Sequence, residues 1–128
     1  MILLDTHAWI WWASSSPNLS KKAARAIQAA KTVYVSAISC WEVAMLVAKN
    51  RLVLDRDVEI WLDQALKLPS VEMVPLTHKI AVRSTRLGTG FHGDPVDCIL
   101  VATALEYACP IISKDERISH YPHMRVVW

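Results

Sequence analysis

Short apolar runs alternate with longer amphipathic segments along the chain. The short runs predict strands, and the longer segments, whose apolar residues recur at helical spacing, predict helices. The apolar, β-branched runs predict strands at residues 2–4, 32–37, 71–76, 110–113 and 124–128. Helical spacing predicts helices at residues 7–13, 21–30, 39–49, 57–68, 77–87 and 94–108. Because strands that alternate with helices pair in parallel, we expect an α/β fold whose sheet of four to five strands is covered on both faces.

Residues that cap helices mark several of the predicted helix starts. Ser20 and Asp57 precede two amphipathic segments, and Asp94 stands before a proline at the first turn of the last long helix. Ser39 and Glu42 have the S-x-x-E spacing of a capping box, which predicts that a helix begins at Ser39.

The composition is typical of one domain in a reducing compartment. The 128 residues are 53% hydrophobic, enough for one core and for some apolar surface that meets a partner. The three cysteines form no C-x-x-C pair. We find no secretory leader and no run of about 18 apolar residues. We therefore expect a single domain over 1–128 in the cytoplasm, without membrane contact. The net charge of +2 gives no case for nucleic acid by itself.

The first twelve residues, MILLDTHAWIWW, place one carboxylate, Asp5, between two apolar runs. A carboxylate in such surroundings is costly to bury unless it is paired or coordinates a cation. Ligands of open α/β sheets bind beyond the carboxyl ends of the strands, and Asp5 follows the first predicted strand. Four further acidic residues fall at strand ends or helix starts on the same predicted edge: Glu42, Asp94, Asp97 and Asp115.

Each of these acidic residues alone also has a purely structural explanation. Asp5 and Asp94 can cap helices, and Asp97 can be the acidic residue of a first turn. Glu42 can complete the capping box, and Asp115 can be a turn residue. Five carboxylates at one edge, however, repel each other unless a cation neutralises them. Oxygen ligands without cysteine or paired histidine select Mg²⁺ or Mn²⁺ over zinc, and such ions support phosphodiester hydrolysis.

Four stretches carry a resemblance to a known family, in this order: ILLDTHAWIWW, SAISCWEVAMLVAKNRL, HGDPVDCILVATAL and IISKDERI. Together they resemble a PIN domain, and more narrowly the VapC-type toxins of bacterial type II toxin–antitoxin systems. The resemblance covers nearly the whole chain. It implies a three-layer α/β/α sandwich and a Mg²⁺- or Mn²⁺-dependent endoribonuclease. It also implies a cognate VapB-like antitoxin, an RNA substrate, a homodimer, and contact with DNA only through the antitoxin.

The resemblance also implies roles for the acidic residues. Three of them match the core metal-binding acids of the family: Asp5, Glu42 and Asp97. Asp115 matches a fourth acidic position whose role is more variable, and we count it with the other three as catalytic. Asp94 is the additional acid of a D-P-x-D variant, and it is either a metal ligand or only the helix cap.

Other side chains receive weaker assignments. Thr6 and Ser113 match hydroxyl positions beside the acids, and we expect them to orient the ligands. Among the histidines, His92 is the best placed to approach substrate. Most tryptophans are expected in the core or at an interface, with Trp41 on an apolar helix that packs against a partner chain. Five basic residues are candidates for phosphate contacts: Lys49, Arg51, Arg83, Arg86 and Lys114.

Two other functional classes stay open at this point. A phosphotransfer protein of the haloacid-dehalogenase type also has an aspartate after its first strand, but it needs a second acid where this chain has His7. A receiver-type phosphotransfer protein needs a lysine on a late strand, for which Lys114 is the only loose candidate. A non-catalytic PIN-like RNA-binding protein is the remaining alternative, although such a protein would be expected to lack some of the acids. The glycine-rich segment GTGFHG is not a phosphate-binding P-loop, because no G-K-[ST] follows.

Overall fold

The computed structural model of the chain describes residues 1–88, 91 and 93–128. The strands are Ile2–Leu4 (β1), Val33–Ser36 (β2), Val71–Val74 (β3), Ile111–Ile112 (β4) and Val126–Val127 (β5). The helices are Thr6–Ala13 (α1), Lys21–Ala29 (α2), Ala37–Ala48 (α3), Val58–Ala65 (α4), His78–Ser84 (α5), Pro95–Glu106 (α6) and Glu116–Ser119 (α7). The predicted α/β class is confirmed.

All five strands pair in parallel in the order β3-β2-β1-β4-β5. The first strand is therefore central, and Leu4 at its end pairs with Val35 on one side and Ile112 on the other. Strands β2 and β3 extend the sheet on one side of β1, and the chain then crosses over so that β4 and β5 extend it on the other side. The resulting switch point between β1 and β4 leaves a crevice at the carboxyl edge, where open α/β sheets bind their ligands.

Alternating side chains of the sheet belong to two apolar cores, one on each face. Leu4, Val35 and Ile112 face a core that includes Trp9 of α1 and Trp61 of α4. The neighbouring residues Leu3, Tyr34 and Ile111 face a second core, which contains the buried side of α6. Because side chains along a strand point to opposite faces, both layers of helices are needed to cover these apolar strands. The expected three-layer sandwich is confirmed.

The start of α3 differs from the prediction. The helix begins at Ala37, and its N-cap is Ser36, whose hydroxyl accepts a hydrogen bond from the backbone N–H of Ile38 at 3.2 Å. Ser39 lies inside the helix and is fully buried, so the predicted capping box of Ser39 and Glu42 is wrong. Strand and helix follow each other without a loop here, and this abrupt junction hid the true cap.

Two other boundaries also differ. Helix α5 ends at Ser84 instead of continuing to about Leu87. The structural alternative for Asp115, a turn residue, also differs: Asp115 caps the short helix α7, which the sequence does not predict, by accepting a hydrogen bond from Arg117 N at 2.8 Å. A four-residue helix is too short to display a helical period in the sequence. None of the helices in the described part of the chain is long and apolar enough to cross a membrane.

Candidate active site

A cavity of about 430 Å³ opens at the carboxyl edge of the sheet. The strand ends and helix starts around the switch point bring there side chains that are far apart in sequence. All five acidic residues singled out from the sequence line it: Asp5, Glu42, Asp94, Asp97 and Asp115. The cavity also contains two cations, Lys114 and Arg117. The predicted convergence of the five acids is thus observed, while their catalytic and metal-binding roles stay predictions.

Asp5 is the most buried of the five acids, with 9% of its surface exposed. It is the N-cap of α1, and its Oδ1 accepts a hydrogen bond from Ala8 N at 2.7 Å. Burial raises the pKa of this carboxyl, although hydrogen bonds from Ser113 and Ala8 oppose the rise. The cap fixes one oxygen, so the carboxylate is held rigidly at the wall of the cavity.

Asp94 and Asp97 stand at the start of α6. Asp94 is its N-cap and accepts a hydrogen bond from Asp97 N at 2.9 Å, with Pro95 at the first helical position, as predicted. Burial, reinforced by the charges of Asp94 and Asp115, raises the pKa of Asp97 to about 7. A carboxyl that is half protonated near neutral pH indicates that the negative charge of this cavity is not fully compensated.

Arg117, which the sequence analysis missed, partly supplies that compensation. Its Nη2 contacts Asp97 Oδ2 at 2.9 Å and Asp115 Oδ2 at 2.8 Å. The guanidinium lowers the pKa of Asp115, and the two carboxylates raise the pKa of Arg117 in return. Arg117 lies two residues after Asp115 in the sequence. This spacing becomes informative only once it is known that both residues belong to the start of α7. Arg117 stands where the charge of the acids calls for a cation.

Hydroxyl groups behind the acids tie the site to the sheet. Thr6 donates a hydrogen bond to the Ser39 hydroxyl at 2.9 Å, and both residues are buried. This contact joins the start of α1 to α3, one turn before Glu42. Ser113 accepts a hydrogen bond from Asp115 N at 3.0 Å and also bonds to Asp5. Thr6 and Ser113 therefore lie beside the acids, where the sequence analysis expected them.

The donor set is suited to a hard divalent cation. All five acids offer only oxygen atoms, which Mg²⁺ and Mn²⁺ prefer. Within residues 1–88, 91 and 93–128, however, no three acidic, histidine or cysteine side chains are drawn together closely enough to hold a metal ion. The guanidinium of Arg117 keeps Asp97 and Asp115 paired with itself. The donor atoms thus fit a hard divalent cation, while the spacing of the described side chains does not yet form a metal site.

Several weaker assignments have different outcomes. His92 lies outside the described residues. Arg83 forms an ion pair with Glu106 at 2.9 Å on the α5–α6 surface, away from the acids. Of the five proposed phosphate-binding residues, Lys114 lines the acidic cavity. Trp41 exposes 55% of its surface, so α3 presents an apolar side chain to the outside.

Comparisons with known proteins agree with this architecture. The profile of the PIN domain family matches residues 2–124. Ribonuclease VapC22 of Mycobacterium tuberculosis is 36% identical over 126 residues, which cover 98% of this chain and 95% of that protein. The match therefore spans nearly the whole of both chains.

Solved structures share the same fold at low sequence identity. VapBC2 from Rickettsia felis, bound to a DNA fragment from its promoter, superposes with a TM-score of 0.73 at 16% identity, over 98% of this chain and 97% of that chain. A toxin–antitoxin complex from Klebsiella pneumoniae gives a TM-score of 0.70 at 22% identity, over 100% and 97% of the two chains. FitAcB from Neisseria gonorrhoeae gives 0.69 at 22% identity, over 98% and 96%.

Proposed function

Because this chain belongs to the PIN-domain family, we propose that it is an endoribonuclease and the toxin of a type II toxin–antitoxin pair. The observation that carries the proposal is the convergence of five carboxylates from distant segments on one cavity. The 36% identical relative is named a ribonuclease, which supports the activity. Solved neighbours named as toxin–antitoxin complexes support the biological setting.

We infer that Asp5, Glu42 and Asp97 would hold a Mg²⁺ or Mn²⁺ ion, with Asp115 and Asp94 completing the site. When bound, such an ion polarises a phosphoryl oxygen and lowers the pKa of water. The chain's own part is to fix the ligands. The α1 cap holds Asp5, and the turn at the start of α6 holds Asp94 against Asp97. Preorganised carboxylates cost no rearrangement during the reaction.

The proposed reaction is in-line attack of water on a phosphorus atom of RNA: the P–O bond to the water oxygen forms as the P–O bond to the departing ribose oxygen breaks. The water gives up a proton to a carboxylate, and the ribose oxygen takes up a proton from solvent. A carboxylate of the set accepts a hydrogen bond from the attacking water and orients it. Arg117 exchanges its carboxylate partners for phosphate oxygens, because its guanidinium binds both kinds of anion in the same geometry. The charge that develops on the phosphate is then neutralised inside the cavity.

The proposal includes protein partners. A cognate antitoxin would cover the toxin, and DNA would be contacted only through that antitoxin. The exposed Trp41 on α3 supports a homodimer, because large aromatic side chains at the surface are typical of interface cores.

The test is a cleavage assay on single-stranded RNA with Mn²⁺, with EDTA, and with the variant Asp5→Asn. The wild type should cleave, EDTA should abolish cleavage, and Asp5→Asn should lower the rate at least about 100-fold, the scale expected for loss of charge stabilisation at a reacting centre. Asn keeps the Oδ1 acceptor of the α1 cap, so the fold should survive, as circular dichroism would check. Asp63→Asn on the exposed side of α4 is the matched control and should cleave normally.

The same assay addresses the non-catalytic alternative. A PIN-like RNA-binding protein would bind the RNA and leave it intact with or without metal. That alternative has one observation in its favour, the ion pairs that Arg117 makes across two of the acids. Cleavage by the wild type that EDTA stops would exclude it, while cleavage that persists in Asp5→Asn would contradict the proposed site.

A further inference from the structure

A second cavity, of about 640 Å³, lies beside the acidic one. Lys114 lines both cavities, so the two adjoin at its side chain. The second cavity is lined further by Lys22 of α2 and by Trp128 after β5. We call the path from the acids over Lys114 to Lys22 and Trp128 the basic groove.

An aromatic wall runs along the junction of the two cavities. The ring centroids of Trp11 and Trp128 lie 5.6 Å apart, and those of Trp11 and His7 lie 5.9 Å apart. The Lys114 ammonium stands 6.0 Å from the Trp11 ring centroid. A cation at this distance from an aromatic face is attracted by the ring, so Trp11 positions Lys114 at the rim of the acidic cavity. Trp11 and Trp128 are half-buried, which leaves part of each ring in the groove.

The charge of the groove complements that of the site. An acidic cavity repels a polyanion, so a nucleic-acid substrate needs positive charge close to the place of cleavage. Lys22 and Lys114 are both exposed, and within the described part of the chain neither makes an ion pair. Glu116 also lines the second cavity, which keeps the local charge moderate.

We propose that the basic groove binds the single-stranded RNA that flanks the scissile phosphate. Lys114 and Lys22 contact successive phosphates, and the aromatic wall receives a base. The proposal rests on the proposed ribonuclease function and names its substrate class. Single strands are favoured because their unstacked bases can lie against aromatic side chains, whereas a duplex hides its bases.

The test is binding of fluorescein-labelled single-stranded RNA 12-mers to the full chain by fluorescence anisotropy. The Asp5→Asn background prevents cleavage during the measurement. The double variant Lys22→Gln/Lys114→Gln should weaken binding about tenfold or more. It should also reduce the slope of log Kobs against log salt by about 1.4, since each lysine that contacts a single-stranded phosphate contributes about 0.7. Trp128→Leu should weaken binding about tenfold without changing that slope.

The matched control is Lys21→Gln. Lys21 is the neighbour of Lys22 on the same exposed turn, but it does not line the cavity, so binding should be unchanged. In cleavage assays with the active chain, the two lysine substitutions should raise KM and leave kcat nearly unchanged. Trp128→Phe, which keeps an aromatic ring, should bind better than Trp128→Leu and so separate stacking from loss of packing.

Three results would contradict the binding of single-stranded RNA in the basic groove. One is equal RNA affinity and salt slope in the double variant and in Lys21→Gln. Another is binding of a duplex 12-mer as tightly as the single strand. The last is retained RNA binding together with lost binding of a cognate antitoxin, which would assign the groove to a protein partner. A wild-type chain that shows no metal-dependent cleavage would instead contradict the proposed ribonuclease function, whatever the RNA affinity of the groove.

Discussion

At the scale of single residues, the dominant feature is charge that is unevenly compensated. Arg117 stabilises Asp115 as an anion, while Asp97, which contacts the same Nη2 atom, has a pKa of about 7 because of its burial and the neighbouring carboxylates. One arginine cannot neutralise the whole set of acids, and half of its side chain is exposed to solvent, where screening weakens its pairs. We therefore expect the metal ion of the proposed function to compete with Arg117 for these carboxylates.

Replacing the competing cation tests this interpretation. Arg117→Gln should bind Mn²⁺ about five- to tenfold more tightly than the wild type, because binding no longer requires two exposed ion pairs to be broken. Isothermal titration calorimetry on the metal-free proteins measures the difference. Arg125→Gln, an exposed arginine outside the acidic cavity, should leave the affinity as it is. Unchanged or weaker Mn²⁺ binding in Arg117→Gln would mean that Arg117 does not stand in for the metal ion.

At the scale of elements, the helix starts deliver the functional groups. Asp5, Asp94 and Asp115 are the N-caps of α1, α6 and α7, so three of the five acids have a structural role as well as a place in the cavity. The structural explanation is therefore correct for these three residues, and their catalytic and metal-binding roles stay predictions. The N-cap of α3 is Ser36, so Glu42 has no capping role and its carboxylate lines the cavity.

The corrected cap of α3 gives a stability prediction. Ser36→Ala should lower the free energy of unfolding by about 1 kcal/mol, because it removes the acceptor for an N-terminal N–H of the helix. Glu42→Gln should not lower it, since the carboxylate bonds to no capping N–H and its removal lessens repulsion among the acids. Urea denaturation at pH 7.5 without metal measures both. If Glu42→Gln lowered the free energy of unfolding as much as Ser36→Ala does, the result would support a capping role for Glu42.

Most elements were predictable from the sequence, and the exceptions share a cause. The long amphipathic helices have several turns in which an apolar face can repeat, as with Trp61 and Ala65 of α4, which are buried as predicted. The four residues of α7 and the direct junction of β2 with α3 offer no such repeat. The acids could be identified from the sequence because carboxylates are uncommon at the ends of apolar segments. Arg117 and Lys22 were missed because an exposed cation carries no mark of its partner until the fold is known.

At the scale of the whole molecule, the charge of Asp97 lowers the stability of the metal-free protein. The pKa of Asp97 is about 7 in the folded state and about 4 in an unfolded chain. The folded state therefore binds more protons between these values, so this group makes the free energy of unfolding fall as the pH rises from about 4 to about 7. Above pH 7 the penalty is fully present.

Asp97→Asn should remove that part of the pH dependence. At pH 8 without metal, its thermal midpoint should exceed that of the wild type by a few degrees, and the difference should shrink toward pH 4.5. Differential scanning fluorimetry across this range measures it, with Asp63→Asn as the exposed control. A midpoint for Asp97→Asn that stays below the wild type at pH 8 would show that its contact with Arg117 outweighs the repulsion from the other acids.

The strand order has a further consequence for when the protein can act. The central strand β1 is synthesised about 100 residues before its neighbour β4 and the residues Asp115 and Arg117. One wall of the acidic cavity does not exist until that late segment has inserted beside β1. A ribosome-bound or prematurely ended chain that lacks residues 111–127 therefore cannot assemble the cavity. The acidic cavity, and with it the proposed cleavage site, therefore forms only after the segment that carries β4, Asp115 and Arg117 has been synthesised.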